Sequence, residues 1–238
     1  VKIIYLAFVS CLLASCASTA PISGKTIPER ADRSTGNQLI KGDFDRLADV
    51  ELSQNTQSLR LIMLKLYKRN PHELAKSTSD NADKMVSWVF DGQSQHHYQF
   101  KEMANKQGTE AIFLAFTPEY QGDRVLAFIV GLQTMLLKAH ENKTDFYLTD
   151  SIDPQKIYNV ARNVEIAAWK LANARDKDGA LYLISNEMSN KGQNISFERE
   201  FGKIIGSIDL FAITLAEKSQ RTISRVIQNI ATAFFLPF

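Results

Sequence analysis

Between residues 123 and 140 the chain carries Val125, Leu126, Phe128, Ile129, Val130, Leu132, Met135, Leu136 and Leu137. On a helical projection the only relief is a narrow stripe of small residues, Ala127, Gly131 and Thr134. A helix that is apolar on every side has to be enclosed by other elements. The stretch is interrupted by Gln133 and falls short of the about 20 apolar residues that a membrane span needs. It therefore predicts the central helix of a packed core, and the small-residue stripe predicts where a neighbour comes close.

The surrounding sequence also reads as helix. Leu59, Ile62, Met63, Leu66 and Tyr67 recur at helical spacing within residues 57–69, as do Met85, Val86, Val89 and Phe90 within 81–90. Asn70-Pro71, Thr117-Pro118 and Asp153-Pro154 each place a capping residue before a proline, the pattern of a helix start, and Glu73 completes a capping box with Asn70. Residues 154–175 predict one long helix and residues 196–235 another, broken near 217–221, after which Ile223, Val226, Ile227, Ile230 and Phe234 mark one face. Gly202 and Gly206, four apart, suggest a close helix contact. The apolar runs 111–116, 146–148 and 180–184 are too short for periodicity to decide between strand and helical turn. No unit of about 34 or about 40 residues recurs, which argues against tandem repeats. The expected fold is all-α, a single bundle-like domain over residues 43–238, with a small β-sheet added as the alternative.

The first sixteen residues carry an address. Lys2 precedes a run from 3 to 13 that is apolar apart from Ser10, and Leu13-Ala14-Ser15-Cys16 follows. Such a leader is removed on export, and eleven residues cannot span a bilayer. Leu13-Ala14-Ser15-Cys16 resembles the lipobox of bacterial lipoprotein precursors. The resemblance implies cleavage after residue 15, lipidation of Cys16, and a membrane partner reached through the N-terminal lipid. Ala17, in place of the aspartate that this class associates with inner-membrane retention, implies the outer membrane, facing the periplasm. Residues 16–42 are rich in Ser, Thr, Pro and Gly and read as the lipidated cysteine with a flexible linker. Ser23-Gly24-Lys25-Thr26 imitates the end of a phosphate loop, but Thr19 stands where its first glycine belongs. Of the two cysteines, Cys11 leaves with the leader and Cys16 takes lipid, so no thiol remains for a disulfide, a zinc site or a nucleophile.

The 28 basic and 26 acidic residues nearly balance, which speaks against a nucleic-acid binder. One polar constellation stands out on the helix after Pro154. Tyr158, Arg162, Glu165 and Trp169 share a stripe beside the aliphatic face of Ile157, Val160, Ala161, Val164, Ala168 and Leu171. Arg162 and Glu165 can pair three apart, so the stripe reads either as a salt bridge at a second helix interface or as a partner or ligand surface, because Trp, Tyr and Arg dominate binding hot spots. Asp145, Asp150 and Asp153 form an acidic cluster whose spacing matches no calcium loop, and Asp153 reads as a helix cap. His96 and His97 are adjacent, so they point apart rather than share a metal, and a polar loop is the plain reading. No serine-hydrolase elbow or Ser-x-x-Lys motif occurs. Phe234, Phe235, Leu236 and Phe238 near the end of the chain are expected to dock on the bundle.

These features point to a lipid-anchored envelope protein acting without catalysis, through protein contacts in envelope assembly or maintenance. No cofactor and no metal are expected. The alternative is a module that binds an apolar ligand or lipid among Phe113, Phe116, Phe128 and Met135. A hydrolase using the aspartates or the Arg162 and Glu165 pair ranks third.

Overall fold

A computed structural model describes residues 42–144, 152–189, 192–226 and 229–238. The leader, Cys16, the linker up to residue 41, Asp145, Asp150, the run 146–148 and Ile227 lie outside the described residues. The described residues are all-α apart from one hairpin. In chain order they form α1 (Asp43–Arg69), α2 (Pro71–Ser77), α3 (Ala82–Asp91), the single turn α4 (Gln93–His96), a short 3₁₀ turn (Lys101–Met103), α5 (Gly108–Ala115), α6 (Arg124–Ala139), α7 (Pro154–Asn173), and α8 (Ser196–Ser219). The hairpin pairs β1 (Glu187–Ser189) with β2 (Gly192–Asn194), antiparallel, just before α8.

The stretch with apolar residues all round is α6, and every residue of it except Lys138 is buried. Its small-residue stripe faces α5, as expected. A Cβ on Gly131 would lie 2.6 Å from Ile112 and 2.7 Å from the Gly108 carbonyl oxygen, while the Thr134 hydroxyl accepts the Gly108 amide at 2.7 Å. The run 111–116 is thus helical, in α5, rather than a strand. Leu59, Ile62, Met63, Leu66 and Tyr67 of α1, and Phe201, Ile204, Ile208 and Phe211 of α8, complete the same core.

A helix start inside a protein needs acceptors for its free amides. At α6 the Asp123 carboxylate accepts the Leu126 amide at 3.0 Å, the Tyr67 hydroxyl at 2.7 Å and the Ser77 hydroxyl at 2.8 Å. Glu73, buried, accepts the Arg124 amide at 2.7 Å. Burial pushes the Asp123 carboxyl above its usual range, the three donors pull it partly back, and the charge of Glu73 adds to the rise. The Arg124 guanidinium turns the other way. It donates to the carbonyls of Ala115, Thr117 and Tyr120, at the negative end of α5.

Several expectations are corrected. Asn70 does not cap α2 through its side chain, which instead bonds the Leu66 carbonyl and both backbone groups of Ile184. Glu73 does not close a capping box, because it serves α6. Thr117-Pro118 opens a turn, not a helix: the carbonyls that would continue a helix are taken by Arg124. The described chain after Ser219 is irregular, so Ile223, Val226, Ile230 and Phe234 share no helical face. Gly202 and Gly206 face open space, and no element of the described chain approaches them. The run 180–184 is irregular, with one isolated bridge between Arg175 and Leu181.

Residues 229–238 nonetheless dock. The Asn163 side chain, fully buried, donates to the Leu236 carbonyl and accepts its amide, at 2.8 and 2.6 Å, while Asn159 donates to the Pro237 carbonyl. The Phe235 ring meets Phe113 edge to face and Phe238 lies against Gly108. Phe234 alone of the terminal apolar side chains stays largely exposed.

The two kinds of glycine predict opposite outcomes. Gly131→Ala drives a methyl into α5 and costs about 1–3 kcal/mol by overpacking, whereas Gly202→Ala and Gly206→Ala each add about 0.5–1 kcal/mol by helix propensity. Urea unfolding of the three variants measures this directly.

Candidate interaction surface

α7 begins as its sequence indicates, with the Asp153 carboxylate accepting the Gln155 amide at 2.9 Å and Pro154 in the first turn. Its aliphatic face, Ile157, Val160, Ala161, Val164, Ala168 and Leu171, is buried. Tyr158, Arg162, Glu165 and Trp169 are all partly exposed along the edge of that face.

Arg162 is the hub of this edge. Its guanidinium reaches Glu165 at 2.9 Å, as the three-residue spacing predicts, and Asp209 of α8 at 2.7 Å. It also lies over the Tyr158 ring, 4.9 Å from the centroid, where the ring's negative face attracts a cation. Burial works against the charge of Arg162, yet the bond to Asp209 and the two carboxylates outweigh it and raise its pKa. Burial pushes the Glu165 carboxyl up, Arg162 draws it back, and the nearby Asp209 charge adds to the rise. The Nε of Arg162 and the Oδ1 of Asp209 are buried atoms without a hydrogen-bond partner. The interface reading of the stripe thus holds for Arg162, which ties α7 to α8.

Two open grooves flank this hub and share Tyr158, Arg162 and Arg225. One, of about 440 Å³, continues over Asp209, Ile213, Arg221 and Ile223. The other, of about 410 Å³, continues over Glu165, Ile166, Val226 and Ile230. Trp169 lines neither groove, so three of the four stripe residues come together and the fourth stands one turn away. Asp209, Arg221 and Arg225 are the participants that sequence reasoning missed. Asp209 had a signal, since it is the only charged residue between Lys203 and Glu217, in an otherwise apolar and small-residue part of α8.

Other polar candidates have structural partners. His96 packs in an aromatic cluster with Trp88, Tyr98 and Phe100, and its Nδ1 accepts the Tyr98 amide at 2.9 Å. The plain polar loop is therefore corrected to an aromatic corner. His72 contacts Glu73. His140 is fully buried, with Nδ1 at 2.9 Å from the Leu136 carbonyl, Nε2 at 2.9 Å from Glu51, and its ring stacked on Phe211. A carbonyl only accepts, so it is Nδ1–H that donates to Leu136. Among the described residues no three His, Cys, Asp or Glu side chains gather as a metal site would require.

A double-mutant cycle separates the two carboxylates of the hub. Arg162→Ala with Asp209→Ala is expected to show about 1 kcal/mol of coupling, and Arg162→Ala with Glu165→Ala about 0.2–0.5 kcal/mol, since the first pair bridges two helices and the second is local to one. Thermal or urea unfolding of the five variants and the parent protein reads both. Compared with protein-family models, with curated proteins and with solved structures, the chain finds no match, and its site stands on its own geometry.

Proposed function

We propose that the protein is a lipid-anchored component of the bacterial cell envelope that works by binding another envelope protein, without catalysis. The lipobox-like Leu13-Ala14-Ser15-Cys16 after its apolar run carries the location. The contact surface is the α7 edge, where Tyr158 and Arg162 sit between two open grooves and Trp169 extends the same stripe. Partly exposed aromatics around an arginine are the composition of an interface hot spot. No helix among the described residues is long and apolar enough to cross a membrane, which is consistent with attachment through a lipid.

A second reading, binding of an apolar ligand, draws support from Ile213, Ile223, Val226 and Ile230 along the grooves. It does not draw support from the core. Phe128 and Met135 are fully enclosed, and the Phe128 ring packs against Phe116 and Phe201. Hydrolysis by a combined Asp and Glu165 site has less support, since Glu165 is engaged by Arg162 and Asp153 by its own helix.

Two measurements test the proposal. Mass analysis of the amino terminus should find an acylated Cys16, and a bare sulfhydryl or an uncut leader contradicts the location. Affinity capture from solubilised envelope should return one reproducible protein that Tyr158→Ala and Trp169→Ala release; capture of nothing reproducible contradicts the contact role.

A further inference from the structure

Gln133, which breaks the apolar run of α6, is the one buried polar side chain of that helix left incompletely bonded. Arg124 is taken up by three carbonyls, and Thr134 by the Gly108 amide. Gln133 is 2% exposed, and its Nε2 donates to the Thr56 hydroxyl at 3.1 Å. Its Oε1 is buried and accepts no hydrogen bond. A leucine would fill the same place without that cost, so the amide with its bare acceptor calls for a donor from outside the fold.

The amide lies on the wall of an open groove of about 380 Å³ between α1, the corner after α3, and α6. That size falls within the range of small-molecule sites. A second bare group belongs to the same groove. Tyr98 is 3% exposed and lines it, and its hydroxyl has no hydrogen-bond partner among the described residues. The charges of Arg60 and Asp91 act on that hydroxyl, which places it at the Arg60 end of the groove. Burial holds its pKa up at about 12, so it keeps its proton and can donate. His97 and Tyr98 stand consecutively at positive φ, 49° and 55°, a costly backbone for side chains of this size.

The walls select what can enter. Their charges are engaged: Arg60 is held by both oxygens of Asp91, and Asp49 is not free. What remains is neutral, the hydroxyls of Ser53 and Tyr98 and the amides of Gln57, Gln93 and Gln133, beside an apolar side of Leu52, Phe90 and Leu137. An ionic guest would leave its charge unanswered, and a purely apolar one would strip water from the amides. A sugar answers both conditions, since its hydroxyls donate and accept while its ring carbons present C–H edges to the apolar side. We propose that this groove binds a neutral sugar, with Gln133 accepting and Tyr98 donating a hydrogen bond to its hydroxyls. The groove shares no lining residue with those of the α7 edge, so this inference and the proposed protein contact can fail separately.

The experiment uses residues 40–238, the compact unit with its own core, isotope-labelled and titrated with glucose and with N-acetylglucosamine while amide chemical shifts are followed. Saturable shifts at residues 53–57, 93–98 and 133–137, with a Kd of about 1 mM or tighter for one of the two sugars, are the expected result. Tyr98→Phe and Gln133→Leu should each weaken binding about tenfold, the loss of one hydrogen bond. Gln133→Leu should also leave the melting temperature unchanged or raised, because it removes a bare buried acceptor. If that variant fails to fold, its amide is structural and the proposal is overturned; Tyr98→Phe tests the site independently on a folded chain. No saturable shift with either sugar by about 10 mM, shifts spread outside the groove, or binding unchanged by Tyr98→Phe each overturn the proposal. So does tighter binding of glucose 6-phosphate than of glucose, which assigns the groove to anions, or a stronger response to N-acetylalanine methylamide than to either sugar, which assigns it to peptide.

Discussion

The structure depends on enclosing α6. A helix with no polar face needs neighbours on all sides, and each neighbour is positioned by a distinct feature of α6. Gly131 and Thr134 admit α5 to backbone contact. Asp123 at its start gathers hydroxyls from α1 and α2, and Glu73 of α2 takes the next amide. His140 at its end meets Glu51 of α1 and stacks on Phe211 of α8. Arg124 uses its first turn to collect the carbonyl end of α5. Polar groups buried at both ends of an apolar rod are costly unless fully paired, so these pairings also fix where the surrounding helices sit.

A second device holds the irregular segments. Three amide side chains each offer one donor and one acceptor to a stretch of backbone, as a strand would. Asn70 does so for Ile184, Gln155 for Ser224 and Asn163 for Leu236. A backbone with neither helix nor sheet needs such partners where it is buried. The three differ in burial, from the enclosed Asn70 and Asn163 to the surface pair of Gln155 with Ser224, so the chain is held more firmly at Ile184 and Leu236 than at Ser224.

What was legible in the sequence was what depends on local periodicity. The enclosure of α6, its contact stripe, the buried faces of α1, α3 and α7 and the cap at Asp153 follow from side-chain spacing. What was not legible depends on partners distant along the chain. The first half of α1 escaped notice because Glu51 and Asn55 interrupt its apolar period, and Glu51 is buried only because His140 answers it. Asn70 reads as a cap until Ile184 competes for its amide. The spacing of Ile223, Val226, Ile230 and Phe234 is helical, but docking by Gln155 and Asn163 overrides local preference. At the candidate surface, the pairing of Arg162 with Glu165 was legible because it is local to one helix. Asp209, Arg221 and Arg225 join it only through packing.

Native-state hydrogen exchange tests the central claim most directly, because it reports the opening free energy of each amide. If α6 is the enclosed element on which the rest depends, amides from Leu126 to Ala139 exchange only through global unfolding, with one common free energy that tracks the denaturant midpoint. Exchange of α6 amides through local opening, at free energies well below that of global unfolding, contradicts the account.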